Sequence, residues 1–243
     1  MPHARLVQAI GTMVLTVCVF TAGAQSTAAP TFKATVTAQL IPPRRAHPPR
    51  VRQSGNLPPA VIWLKSMQGS ASNPEPGNFT LLQKNKMFTP HLLVVPVGSS
   101  VAFPNADPFF HNVFSLFDGR RFDLGLYEAG STRSVVFSRE GVSYIFCNIH
   151  SEMSAVVISL TTPLYAIADQ QGVFHIRDVP DGEYDLHVWI EGQRQNALDR
   201  LTRRVHITGE SVDLGQIHSD HPDDVQHLNK FGRPYEPDTN PIY

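Results

Sequence analysis

Cysteine is scarce in this chain of 243 residues, which contains only Cys18 and Cys147. Cys18 falls in a segment with the features of an export signal, so the mature chain is expected to keep one thiol and no internal disulfide. In an oxidising compartment, an unpaired thiol is open to damage or to intermolecular pairing. Cys147 is therefore expected to be either deeply buried or bound to a metal.

Charge is also sparse, because charged residues make up 17% of the chain and the formal net charge is -1. This balance gives no support for nucleic-acid binding. The apolar stretch from Leu6 to Phe20 is interrupted by polar residues and is too short to span a bilayer comfortably. Met1–Ala24 therefore predicts a signal cleaved after Ala24, a periplasmic or secreted protein, and no membrane insertion of the mature chain.

Proline and glycine, by contrast, are plentiful, with 20 and 16 residues among short Val-, Ile- and Phe-rich runs. Such runs separated by turn residues predict an all-β fold. The residues from Phe32 to Leu40 alternate between apolar and polar throughout, as in a half-buried strand. Short strands between His91 and Leu160 predict a Greek-key β-sandwich, and a second set from Tyr165 to Thr208 predicts a smaller one.

The predicted organisation has four parts. Residues 1–24 form the signal peptide, and residues 25–162 form a first domain that contains a Pro/Arg-rich loop at 42–59. Residues 163–217 form the second sandwich. Residues 218–243 are polar and proline-bearing without periodicity, which predicts an irregular tail.

The run from Cys147 to Met153 places a thiolate, an imidazole and a thioether at intervals of three residues, just after an apolar segment. A second imidazole, His111, begins another apolar segment. His111, Cys147 and His150 would be strong equatorial ligands of copper, and Met153 a weak axial one. Glu152 remains open as a replacement for Met153. Each residue taken singly suits a structural role, but the combination in an exported chain favours a metal site.

The stretch from Val94 to Leu160 resembles the cupredoxins, and within them the amicyanins, through its Cys-x-x-His-x-x-Met spacing and the His-Asn-Val at His111. The resemblance implies one type 1 copper ion and single-electron transfer with a protein redox partner, a dehydrogenase or a cytochrome. It also implies that Asn112 joins the two ligand loops by hydrogen bonds and that His150 is partly exposed. Asn148, a further supporting neighbour, stands where amicyanin has proline.

The segment from Tyr165 to Thr208 resembles the carboxypeptidase regulatory-like (transthyretin-like) sandwich, through its Asp-x-x-Gly and Val-Pro-Asp-Gly turns. This resemblance implies a structural and binding module without catalysis. The whole chain is similar to bacterial exported proteins labelled plastocyanin-like or methylamine-utilisation-like. Within it, His91 and Met87 are accessory candidates for an outer copper site.

Two other functions remain open at this point. The same fold could deliver or store copper as Cu(I), or it could be a metal-free interaction or carbohydrate-binding module in which Cys147 is a core residue. No Ser/His/Asp set, phosphate loop or pair of carboxylates at strand ends stands out in the sequence. The chain is therefore predicted not to be an enzyme.

Overall fold

A computed structural model describes residues 33–43, 57–69, 73–116, 119–220 and 228–235. The predicted signal peptide and residues 44–56 of the Pro/Arg-rich loop lie outside these ranges. No helix in the described ranges is long and apolar enough to cross a membrane.

The elements in these ranges are β1 (Lys33–Ile41), β2 (Ala60–Ser66), β3 (Asn78–Thr80), β4 (Leu82–Lys84), β5 (Met87–Thr89), β6 (Leu92–Pro96), β7 (Ser100–Pro104), β8 (His111–Ser115), β9 (Phe122–Tyr127), β10 (Thr132–Val136), β11 (Gly141–Cys147), β12 (Ser154–Leu160), β13 (Tyr165–Ile167), β14 (Val173–Pro180), β15 (Gly182–Ile190), α1 (Gln195–Leu201), β16 (Arg203–Ile207) and β17 (Ser211–His218).

The strands from β3 to β12 form one sandwich, called the inserted sandwich below. Its larger sheet has the order β6-β12-β11-β8-β9, its smaller sheet has the order β10-β7-β3, and β4 and β5 form a separate hairpin. The core between the sheets is apolar and includes Phe103, Val113, Phe137 and Val157, all fully buried. Alternation along each strand turns one set of side chains into this core.

The remaining strands form a second sandwich, called the outer sandwich. One sheet has the order β13-β2-β15-β16 and the other has the order β14-β1-β17. Strand β1 buries the alternating residues Ala34, Val36, Ala38 and Leu40, as its sequence pattern predicts. Together, the two sandwiches confirm the prediction of an all-β architecture, apart from the single short helix α1.

The pairing of β1 and β2 differs from the predicted division of the chain, which placed both strands in residues 25–162. Strand β1 pairs with β14 and β17, and β2 pairs with β13 and β15. The inserted sandwich therefore lies between two parts of the outer one in sequence. An alternating pattern specifies which face of a strand is buried, but not which strand it pairs with.

Strand β12 of the five-stranded sheet is buried on both faces, because the inserted core covers one face and the outer sandwich covers the other. In β12, Val157 packs in the inserted core, whereas Ile158 and its alternating neighbours pack in the outer core. The indole N–H of Trp189 in β15 donates a hydrogen bond to the Tyr144 hydroxyl in β11 at 3.2 Å. A strand covered on both sides reads as a continuous apolar run, as β12 does.

We expect Ile158→Ala to lower the free energy of unfolding by about 2–5 kcal/mol, because the truncation leaves a cavity in the outer core, on the face of β12 that the outer sandwich covers. Val136→Ala, at a position that is 49% exposed on β10, should change it by about 0.5 kcal/mol or less. Chemical denaturation of both variants checks this. Equal effects at the two positions would contradict the double burial of β12.

Candidate metal centre

His111 is the first residue of β8 and is fully buried. The loop before it is ordered by Asn105, whose side-chain amide donates to the Phe109 carbonyl at 2.7 Å and whose side-chain oxygen accepts from the Asp107 amide at 3.0 Å. These two bonds fix the path of the chain into β8. The imidazole of His111 therefore enters the site from a rigid support.

Cys147 ends β11 directly beside β8, where it pairs with Val113. The loop that follows closes back on itself: the Cys147 amide donates to the Met153 carbonyl at 3.2 Å, and the Met153 amide donates to the His150 carbonyl at 3.1 Å. This short loop returns His150 to the same place as Cys147 and His111. The structure thus brings together three of the sequence-predicted residues.

The three donor atoms fit a single metal ion. Sγ of Cys147 lies 3.7 Å from Nδ1 of His111 and 3.5 Å from Nδ1 of His150, and all three atoms lie within 4.8 Å of one another. An ion about 2.0 Å from each nitrogen and about 2.3 Å from the sulfur, with angles of about 110–120°, requires S···N separations of about 3.5–3.8 Å. This donor set suits copper or zinc, and imidazole with thiolate is typical of copper electron-transfer sites.

The surroundings of the sulfur act on its charge in opposite directions. Burial raises the pKa of the Cys147 thiol overall, although hydrogen bonds from the backbone amides of Asn112, Ile149 and His150 act to lower it. Backbone amides directed at a buried sulfur favour its anionic form, which is the form that ligates metals. A bound cation would further offset the free-energy cost of burying the negatively charged sulfur.

Asp107 orients the His111 ring, and the sequence analysis did not identify it. Its Oδ2 lies 2.9 Å from Nε2 of His111, and the carboxylate is 5% exposed. Burial would raise the pKa of Asp107, but hydrogen bonds from the Lys86 amide, His111 and the Asn85 amide lower it overall. Burial lowers the pKa of His111. A carboxylate accepts only, so Nε2 carries the proton and the Nδ1 lone pair of the neutral ring faces the site.

The Asp107 carboxylate is itself held by the turn of the β4–β5 hairpin. The amides of Asn85 and Lys86 donate to its two oxygens at 2.6 and 3.0 Å. Both residues have positive φ, 56° and 55°, as in a two-residue type I′ turn. The sequence carries a weak signal for this support, since an aspartate stands four residues before a histidine ligand candidate, but nothing local connects it to the hairpin.

The two candidates for the axial ligand, Met153 and Glu152, differ in burial. Met153 is fully buried in the inserted core, whereas Glu152 is exposed. A side chain must point inward to approach the three donors from the protein side. The burial of Met153 is compatible with this requirement and the exposure of Glu152 is not, so Met153 stays the predicted axial ligand.

Asn112 and Asn148 both support the ligand loop, although in different ways. The Asn112 carbonyl accepts from the Asn148 amide at 3.3 Å, so the backbone joins the two ligand segments. The Asn112 side chain donates instead to Asp123 at 2.7 Å. The Asn148 side-chain oxygen accepts from the amide of Lys230, a residue of the predicted tail, at 3.0 Å.

The accessory candidates His91 and Met87 show no sign of a second site. The Nδ1 of His91 lies 3.1 Å from the Ser154 carbonyl, and its Nε2 contacts the Glu191 carboxylate, so both ring nitrogens are engaged. Met87 is 57% exposed on β5. His91 instead links the five-stranded sheet to the end of β15, and the proposed outer copper site is not supported.

No protein-family model matches the chain, and no curated protein does either. Similar solved structures include a purple cupredoxin from Nitrosopumilus maritimus, with 24% identity over 33% of this chain and 98% of that one, and a TM-score of 0.31. The copper-containing nitrite reductase NirK from Thermus scotoductus SA-01 has 22% identity over 40% of this chain and 25% of its own, and a TM-score of 0.33. A reduced amicyanin variant has 18% identity, coverage of 40% and 99%, and a TM-score of 0.32. The case for a metal centre in this chain therefore depends on the positions of its own donor atoms and not on these similarities.

Replacing Asp107 with Asn should weaken copper binding by about 10- to 100-fold, because the ring of His111 loses the charged acceptor that fixes its orientation. Asp185→Asn, on β15 of the outer sandwich, is the matched control and should leave affinity unchanged. Competition titration with a chelator of known affinity measures both. Equal copper affinities of the two variants would contradict a role for Asp107 in the site.

The contact between His91 and Glu191 should make stability depend on pH. The hydrogen bond with Glu191 is the main reason that the pKa of His91 is raised above 6.5. A raised pKa in the folded state means that this stabilisation is fully present below pH 6.5 and is lost as the pH rises through the higher folded-state value.

The melting temperature of the wild type should therefore fall more steeply than that of His91→Gln as the pH rises above 6.5. His175→Gln, on the exposed face of β14, is the control and should follow the wild type. Thermal unfolding across this range provides the measurement. Parallel curves for the wild type and His91→Gln would contradict the role of this pair.

Proposed function

We propose that this chain is an exported, cupredoxin-type copper protein that carries single electrons between redox partners. His111, Cys147 and His150 would hold one type 1 copper ion, with Met153 as the weak axial ligand. The observation that supports this most strongly is the position of the buried Cys147 sulfur, 3.5 and 3.7 Å from two imidazole nitrogens. A donor set of thiolate, thioether and imidazole suits copper in both oxidation states.

Copper supplies the one-electron couple when bound, and the protein supplies the rigid surroundings. Cys147 and His111 are fully buried, so water is kept from these two donors. The ring of Phe109 packs on both imidazoles, with centroid distances of 5.2 Å to His111 and 5.6 Å to His150. Donors held in this way move little when the charge of the ion changes, which favours electron transfer. Four protein donors leave no open position for a substrate, so the role is carriage rather than catalysis.

The electron would leave at the surface around His150, the partly exposed ligand. Phe110 and Ile149, next in sequence to Phe109 and His150, are 46% and 39% exposed. An exposed apolar surface suits brief docking with a protein partner, a dehydrogenase or a cytochrome. Export through residues 1–24 to the periplasm belongs to the same proposal. Residues 163–217, the part of the outer sandwich that resembles a carboxypeptidase regulatory-like module, would position the protein on that partner.

The Cu(II)-loaded wild type should show an intense visible thiolate-to-copper band, and Cys147→Ser should abolish it. Met153→Leu should keep the band but raise the reduction potential, because the loss of a weak donor destabilises Cu(II) relative to Cu(I). Met67→Leu, at a position that is 47% exposed on the outer sandwich, is the control and should change neither property.

Visible spectroscopy and voltammetry test this prediction together. A Cu(II)-loaded wild-type protein without the visible band would contradict the proposal. Tight Cu(I) binding without a reversible couple would instead assign the chain to copper delivery or storage.

A further inference from the structure

The C-terminal segment 228–235 lies against the metal-ligand loop, although the sequence predicted only an irregular tail there. The Tyr235 hydroxyl donates to the Cys147 carbonyl at 2.8 Å. The Lys230 amide donates to the Asn148 side chain at 3.0 Å, and the Lys230 ammonium lies 2.9 Å from the Asp123 carboxylate. Three bonds thus connect the segment to a ligand, to its neighbour and to the carboxylate that holds Asn112.

The segment has a defined turn of its own. The side-chain oxygen of Asn229 accepts from the amides of Phe231 and Arg233 at 3.0 and 3.1 Å. The Asn229 amide donates to the Arg233 carbonyl at 2.9 Å, and Gly232 takes a φ of 72°, which glycine adopts without strain. The turn holds Lys230 and Tyr235 on the same side, so both reach the ligand loop.

The bond from Tyr235 completes the fixing of the Cys147 backbone. The Cys147 amide already donates to the Met153 carbonyl inside the loop, and Tyr235 now satisfies its carbonyl from outside. With both polar groups bonded, the peptide units on either side of the Cys147 Cα have little freedom to rotate. The direction of the Cα–Cβ bond, and with it the position of the sulfur, follows from those peptide units.

We propose that Tyr235 is a positioning residue of the metal centre, presented by the 228–235 segment and acting through the backbone of Cys147. This inference rests on the proposed copper site for its consequence in the loaded protein, but the contact itself can be tested without metal. Its effect is to hold the sulfur between the two imidazoles and to resist the local opening through which copper is lost.

The test compares Tyr235→Phe with Tyr184→Phe in the full-length protein. The Tyr184 hydroxyl also donates to a backbone carbonyl, that of Pro180, at 2.8 Å, but it lies in the outer sandwich. Both variants lose one bond of the same kind and should lose similar thermal stability. Only Tyr235→Phe should release copper to a chelator faster, by about two- to tenfold, which is the range expected for one hydrogen bond.

The second measurement uses copper-free protein and follows the rate at which iodoacetamide alkylates Cys147, the only cysteine in the described ranges. Mass spectrometry of the Cys147 peptide separates this reaction from alkylation of Cys18. Tyr235→Phe should raise this rate over wild type by a similar factor, and Tyr184→Phe should not. If the wild type binds no copper but Tyr235→Phe still speeds alkylation, the proposed copper function is wrong, but the positioning of Cys147 by Tyr235 is supported. If the two variants match in both rates, the positioning role of Tyr235 is overturned.

Discussion

A thiol buried without a disulfide partner is the constraint around which the inserted sandwich is organised. Burying a group that must carry negative charge is costly unless hydrogen bonds and opposite charge compensate it. Backbone amides of Asn112, Ile149 and His150 supply the first kind of compensation. Two imidazole nitrogens within 3.7 Å of the sulfur leave room for a cation to supply the second kind. The strand ends and the ligand loop are arranged so that these groups converge.

Two separate parts of the chain support the donors. The first is the β4–β5 hairpin, whose turn amides hold Asp107, and Asp107 holds the ring of His111. The second is the C-terminal segment, which holds the carbonyl of Cys147 through Tyr235. Ligand position is therefore set by hydrogen bonds to fixed partners, which is the usual way that a protein tunes a metal.

The ligand spacing and the strand types could be predicted from sequence because both are local. The Cys147 loop places its donors within seven residues, and alternation identified β1 and most of the longer strands correctly. The pairing of β1 and β2 could not be predicted in this way, since any apolar strand face fits more than one sheet. The hairpin at Asn85 and Lys86 is too short to give a periodic signal of its own.

Sequence alone determined which donor types this protein has and how Cys147, His150 and Met153 are spaced, because these are properties of residue identity and spacing. Only the tertiary structure decided that His111, 36 residues from Cys147 in sequence, lies beside the Cys147 sulfur. It also decided that Asp107 orients the His111 ring and that the Tyr235 hydroxyl donates to the Cys147 carbonyl. The physical reason is that each of these contacts joins segments with no periodic relation. Their meeting depends on how two sheets and a tail pack together, and packing is a property of the whole chain.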